Sequence, residues 1–141
     1  MKKILTVVLF SMIFLSCESK VASEEKREIS SYEKAIAKVK KSNKLVMLKL
    51  TSEDCHFCKK MDREVLEDKE IALFLDKNFI LVEIDIKKER LPLALEYKVT
   101  PTFFFIDKNE KIIYKMQGSW NKKDFMDLLE IVLRKAKGDK K

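Results

Sequence analysis

Cys55-His56-Phe57-Cys58 places two thiols three residues apart. On a helix, residues at that spacing share a face and lie within disulfide reach. A helix starting at Cys55 would surround it with unpaired N–H groups and the positive end of the macrodipole, which favour a thiolate. An ordinary thiol of pKa about 8.5 is only about 3% ionised at pH 7. Lowering that value to about 6.5 makes roughly three-quarters of it reactive thiolate. The spacing therefore supplies an attacking thiolate, Cys55, and a resolving thiol, Cys58, able to displace it from a mixed disulfide. Two other chemistries use the same residues. One is a copper or zinc site built from Cys55, His56, Cys58 and Met61. These offer too few separated ligands for a closed zinc site, although a soft Cys/Met copper(I) site escapes that objection. The other is a passive structural disulfide, for which a three-residue loop is a poor staple. Thiol–disulfide exchange is the preferred reading.

The pair needs elements to hold it, and the flanking residues define them. Ser30 and Glu33 form a capping-box pattern, and Tyr32, Ile36 and Val39 follow at helical spacing, predicting a helix to about Lys41. Leu45 to Leu50 is a nearly unbroken apolar run, as in a strand buried on both faces. From about Cys55 to Asp76, Met61, Val65, Phe74 and Leu75 predict a long helix with a break near Asp68. Phe79 to Ile86 reads as a strand and residues 89–97 as a short helix with Pro92 in its first turn. Thr102 to Ile106 and Lys111 to Gln117 read as strands joined by the turn residues Asp107 to Glu110. Asn121 caps a last helix with Phe125, Leu128, Leu129 and Val132 on one face. The order α-β-α-β-α-β-β-α predicts one mixed sheet of about four strands with helices on both faces, an α/β sandwich in three layers.

Composition sets the limits. The chain has 141 residues, 46% of them apolar and 38% charged, enough for one domain with a real core and a heavily charged surface. Only two glycines and two prolines occur, which excludes collagen-like, linker-like and glycine-looped nucleotide-binding chains. The formal charge is +7. The basic excess is diffuse and lacks aromatic interleaving, so no nucleic-acid partner is expected. A solvated Lys-rich surface explains it better than attraction to anionic lipid.

Three cysteines are an odd number, and the amino terminus accounts for one. Met1-Lys2-Lys3 is basic, and Ile4 to Leu15 is an apolar run too short to span a bilayer, so the two read as an export signal. Phe14-Leu15-Ser16-Cys17 then resembles the lipobox of bacterial lipoproteins. That resemblance implies cleavage before Cys17 and a lipid on its thiol. The alternative is an incidental Cys17 in a conventional signal cleaved after Val21-Ala22-Ser23. Residues 1–16 are thus expected to be a signal peptide, 17–29 a lipidated cysteine and polar tether, 30–137 the folded domain and 138–141 a tail. Export to the bacterial cell envelope follows, with the membrane reached through the lipid on Cys17.

Residues 30–137 resemble the thioredoxin-like superfamily. Beyond the Cys pair, Thr100-Pro101-Thr102 precedes a strand where that family carries a cis-proline facing the pair and binding substrate backbone. Ala94, Tyr97 and Val99 match the segment leading into that loop, and Gly118 falls at the family's close-packing glycine. The Cys-His-Phe-Cys motif and the following helix and strand resemble most the exported thioredoxin-related group. The resemblance implies a thiol–disulfide oxidoreductase, monomeric, needing no metal and no cofactor beyond the Cys55–Cys58 disulfide; disulfide reduction is the preferred direction, and no residue compels it over oxidation or isomerisation. Its implied partners are exported protein thiols and disulfides and a transmembrane thiol reductant transporter. The candidate site is thus Cys55 as nucleophile, Cys58 as resolving thiol, His56, Phe57 and Lys49 as tuning residues, and Thr100 and Pro101 for substrate.

Three departures bear on tuning. Asp54 replaces the family's Trp, and His56-Phe57 its Gly-Pro. Lys49 stands six residues before Cys55, where thioredoxin buries an Asp that helps move the resolving cysteine's proton. A buried ammonium is costly unless paired or neutral. Lys49 is therefore either a proton shuttle or turned outward, and the outward reading is preferred. Lys49, Lys59 and Lys60 would favour a Cys55 thiolate, whereas Glu53 and Asp54 oppose it. For His56, a tuning role and a plain rim position stand level.

Overall fold

The computed structural model describes residues 30–138. The expected signal peptide, Cys17 and tether lie outside the described residues, as do the last three residues of the tail. Four strands, β1 (Leu45–Thr51), β2 (Phe79–Asp85), β3 (Thr102–Ile106) and β4 (Ile112–Gln117), form one sheet in the order β2-β1-β3-β4. β1 and β2 are parallel, whereas β1–β3 and β3–β4 are antiparallel. The helices are α1 (Ser31–Val39), α2 (His56–Met61), α3 (Lys69–Asn78) and α4 (Lys122–Ala136). This is the thioredoxin-like three-layer α/β sandwich that the element order predicts.

Strand alternation distributes the core. On one face, Leu45, Met47, Phe103 and Phe105 pack with Met61, Val65, Ile71 and Leu75 from α2–α3 and Phe125, Leu129 and Val132 from α4. On the other, Val46, Leu48, Leu50 and Phe104 pack with Tyr32, Ile36 and Val39 of α1 and with Leu95 from the crossover. β1 sends side chains to both cores, which is why Leu45 to Leu50 lacks the polar alternation of a one-sided strand.

Local chemistry sets the helix ends. The Ser30 hydroxyl accepts from Glu33 N–H while Glu33 accepts from Ser30 N–H, completing the capping box. Asp68 accepts from the N–H groups of Glu70 and Ile71 and starts α3. The long helix is therefore interrupted before Asp68. A π-helical turn, Asp62–Leu66, follows α2 directly, with Glu67 N–H donating to Asp62 O at 2.9 Å. Asn121 accepts from Asp124 N–H to cap α4.

One predicted helix does not form. Residues 89–97 contain only a 3₁₀ turn, Pro92–Ala94, in which Leu93 and Ala94 adopt left-handed φ values of 54° and 49°. The segment must cross the sheet face and bury Leu95 there. Two successive non-glycine residues in the left-handed region break the right-handed α-helical path there.

Candidate functional site

The register brings the site to one end of the sheet. β1 ends at Thr51, and Leu50 pairs with Thr102, the first residue of β3. Four residues beyond Thr51, Cys55 precedes α2. Two residues before Thr102 begins the Thr100–Pro101 peptide bond, which is cis. A chain of contacts ties these segments. Gly118 N–H donates to Pro101 O at 2.8 Å, and the neighbouring Ser119 hydroxyl reaches Met61 Sδ at 3.9 Å. Gly118, at φ 82°, is one of the positions where a side chain would be strained.

Cys55 and Cys58 form a disulfide, with Sγ atoms 2.09 Å and Cα atoms 5.2 Å apart. Cys55 is the N-cap of α2, and its Sγ accepts from Cys58 N–H at 3.0 Å. The same N–H would bind a Cys55 thiolate more strongly, because charge-assisted hydrogen bonds exceed neutral ones. Cys55 is 8% exposed and Cys58 1%, so both are buried and the first lies nearer solvent. His56 and Phe57 stand at the rim with their rings edge to face, Phe57 60% exposed. An exposed Phe beside a reactive sulfur gives an apolar rim against which a polypeptide can pack.

The acids before Cys55 are not free to oppose its thiolate. Asp54 meets Lys87 Nζ at 2.5 Å and Glu53 meets Lys88 Nζ at 3.1 Å. Hydrogen bonding to Lys87 holds the Asp54 carboxyl below its ordinary value, and Lys87 is raised in turn. The loop after β2 thus neutralises the loop before α2. In the sequence the two lysines are part of the diffuse Lys-rich surface, and nothing local points to this pairing.

Lys49 corrects the preferred sequence reading. It is not turned outward: only 3% of it is exposed, and it lies on the core face shared with Met47 and Met61. Its Nζ donates to Asp62 Oδ1 at 2.6 Å and to Glu83 Oε2 at 2.8 Å. Glu83 is its register partner on β2, and Asp62 opens the π turn. Burial is tolerable because the ammonium is doubly paired. Asp62 and Glu83 escaped the sequence reading, although the signal was present. A lysine inside an apolar strand demands a counter-ion, and Glu83 interrupts the apolar run of β2.

An open cleft of about 410 Å³ adjoins these groups, with Cys58, Lys59, Asp62, Glu83, Asp85 and Lys88 among its walls. The metal reading gains no support from the arrangement. Met61 is fully buried in the core, and among the described residues no group of three or more His, Cys, Asp or Glu is placed to hold an ion.

Comparison with known proteins decides the family. The model of the thioredoxin-like domain matches residues 32–133, well over half of the chain. The chain belongs to the thioredoxin-like family. Among solved structures, this thioredoxin-like chain resembles the DsbH oxidoreductase, with a TM-score of 0.61 and 22% identity over 76% of this chain and 84% of that one. A thioredoxin from Thermus thermophilus superposes with a TM-score of 0.60 and 25% identity, covering 72% of this chain and 82% of that one. The oxidised C-terminal domain of DsbD from Neisseria meningitidis gives 0.56 and 17% identity over 71% and 90%. Among curated proteins, spermatogenesis-associated protein 20 of Mus musculus is 38% identical over 58 residues, which span 41% of this chain but only 7% of that protein.

Proposed function

We propose that this thioredoxin-like protein is a thiol–disulfide oxidoreductase of the bacterial cell envelope, acting as a disulfide reductase on exported proteins. The observation that carries the reading is the Cys55–Cys58 pair at the start of α2, its outer sulfur accepting from Cys58 N–H and its inner one buried. In the reduced protein, the Cys55 thiolate attacks a substrate disulfide, forming a Cys55–substrate disulfide and releasing one substrate thiolate. Cys58, as thiolate, then attacks Cys55 Sγ and expels the second. The substrate gains two electrons, and the protein is left with the Cys55–Cys58 disulfide.

The cis Thr100–Pro101 loop is proposed to align substrate backbone, with Phe57 and His56 forming the rim it packs against. The amino-terminal signal and a lipid on Cys17 would hold the domain at the membrane. Electrons would then come from a transmembrane thiol reductant transporter, since disulfides persist outside the cytoplasm unless actively reduced. The protein is proposed to act as a monomer, without metal and without nucleic acid.

Titration in glutathione buffers of defined poise, together with Cys58→Ser, tests this. The variant is expected to accumulate a mixed disulfide at Cys55, and Cys55→Ser to show none. A potential near −270 mV, about that of thioredoxin, supports a reductase. A potential near about −120 mV would reverse the direction while keeping the exchange. No exchange at any poise, with stoichiometric copper bound instead, would overturn the reading.

A further inference from the structure

The resolving step needs a base. Cys58 is 1% exposed and must lose a proton to attack Cys55, so bulk water is poorly placed to take it. The cleft beside Cys58 is walled by several charged groups, and most are already committed to one another. Lys88 meets Glu53 at 3.1 Å and Asp85 at 3.8 Å, and Lys59 is a donor with no acceptor to offer. There remain Asp62 and Glu83, both bound to the buried Lys49.

Two carboxylates face one ammonium, so one negative charge is in surplus. Asp62 lies four residues after Cys58 along the continuous α2–π segment, with Asp62 N–H donating to Cys58 O, and side chains at that spacing are neighbours. The π turn that begins at Asp62 is a device found often at functional positions. If Asp62 took a proton, Lys49 would keep Glu83 at 2.8 Å as its counter-ion, and no unpaired charge would be left buried. Glu83, with 61% of its side chain exposed, and Asp62, at 36%, also open the cleft to solvent for the proton's exit.

We infer that Asp62 is the proton acceptor for Cys58 in the resolving step, with Lys49 and Glu83 as the positioning residues that hold it and balance its charge. The inference rests on the proposed exchange activity. The Cys58 thiol passes its proton to the Asp62 carboxylate, and the resulting thiolate attacks Cys55 Sγ. The Cys55–Cys58 bond forms as the Cys55–substrate bond breaks, the substrate leaves as thiolate, and Asp62 returns the proton to water through the cleft.

The test uses the full chain carrying Cys17→Ser and reacts the reduced protein with dithiobis(nitrobenzoate). The first nitrothiobenzoate leaves as Cys55 attacks, at a rate set by reagent concentration. The second leaves as Cys58 resolves the adduct, at a rate independent of it. Asp62→Asn is expected to slow the second phase at least about tenfold and move its pH midpoint upward, with the first phase changed less than about twofold. Asp62→Glu restores much of the rate. Lys49→Met also shifts the pH profile of the second phase, although it leaves both carboxylates in place. An Asp62→Asn variant whose second phase keeps its rate and pH profile overturns the inference. So does one whose two phases slow by the same factor. A parent protein with no second phase at all would instead overturn the exchange reading beneath it.

Discussion

Among the described residues Lys49 is the charged side chain that the fold buries, and both its partners lie nearer solvent. This asymmetry predicts a strongly non-additive double substitution. Asp62→Asn or Glu83→Gln alone leaves the ammonium one carboxylate, 2.8 or 2.6 Å away, and each is expected to cost about 1 kcal/mol. Together they strand an unpaired ammonium in the core, at a cost of about 3–5 kcal/mol. The excess of the double over the two singles is then about 1–3 kcal/mol, within the range seen for directly coupled residues. Adding Lys49→Met to the double removes the stranded charge and is expected to recover most of the loss. Urea unfolding of the oxidised chain at pH 7, with its slope checked for constancy, measures all four variants. Singles that simply add, or a triple variant no more stable than the double, would refute buried charge as the source of the cost.

Other outcomes follow from the same structure. Lys87→Gln leaves the Asp54 carboxylate uncompensated beside Cys55, so alkylation of the reduced protein by iodoacetamide at pH 7 should slow by a factor of roughly two, and high salt should narrow the difference. Asp68, held below its ordinary 3.8 chiefly by its hydrogen bond to Lys122, adds stability that is present above that value and lost as pH falls through its depressed one. Lys122→Met should therefore lower the melting temperature at neutral pH, and the gap should close in acid. The Tyr32 hydroxyl is buried without a partner among the described residues, and desolvation followed by the Glu110 charge pushes it up to about 12. Tyr32→Phe should be neutral or stabilising by up to about 1 kcal/mol in the same urea assay, and a clear loss would show that the hydroxyl is satisfied.

Much of this was legible along the chain because the signals are local. Cys55 and Cys58 declare by spacing that they lie within disulfide reach, and a helix start at that position is a matter of one turn. Ser30, Asp68 and Asn121 mark helix ends because a short polar side chain can bind the N–H groups that a helix leaves open. The unbroken run of β1 showed a strand buried on both faces. The 89–97 segment misled because Pro92 fits a helix start equally well as a 3₁₀ turn, and the deciding requirement is the burial of Leu95 beneath a crossing loop.

Lys49 marks the boundary between the two kinds of information. Its sequence neighbours show only that an ammonium has been placed in an apolar strand, which leaves an outward side chain and a buried one both open. Whether it can be buried depends on residues 13 and 34 positions away. Those residues meet it only when parallel pairing sets β2 beside β1 and the π turn brings Asp62 over the strand. The sequence by itself therefore determined the thiol pair, the layers and the order of the elements outside residues 89–97, because each rests on contacts within a turn or a strand. The tertiary structure alone decided which charges surround the inner thiol, because electrostatic pairing depends on distance in space.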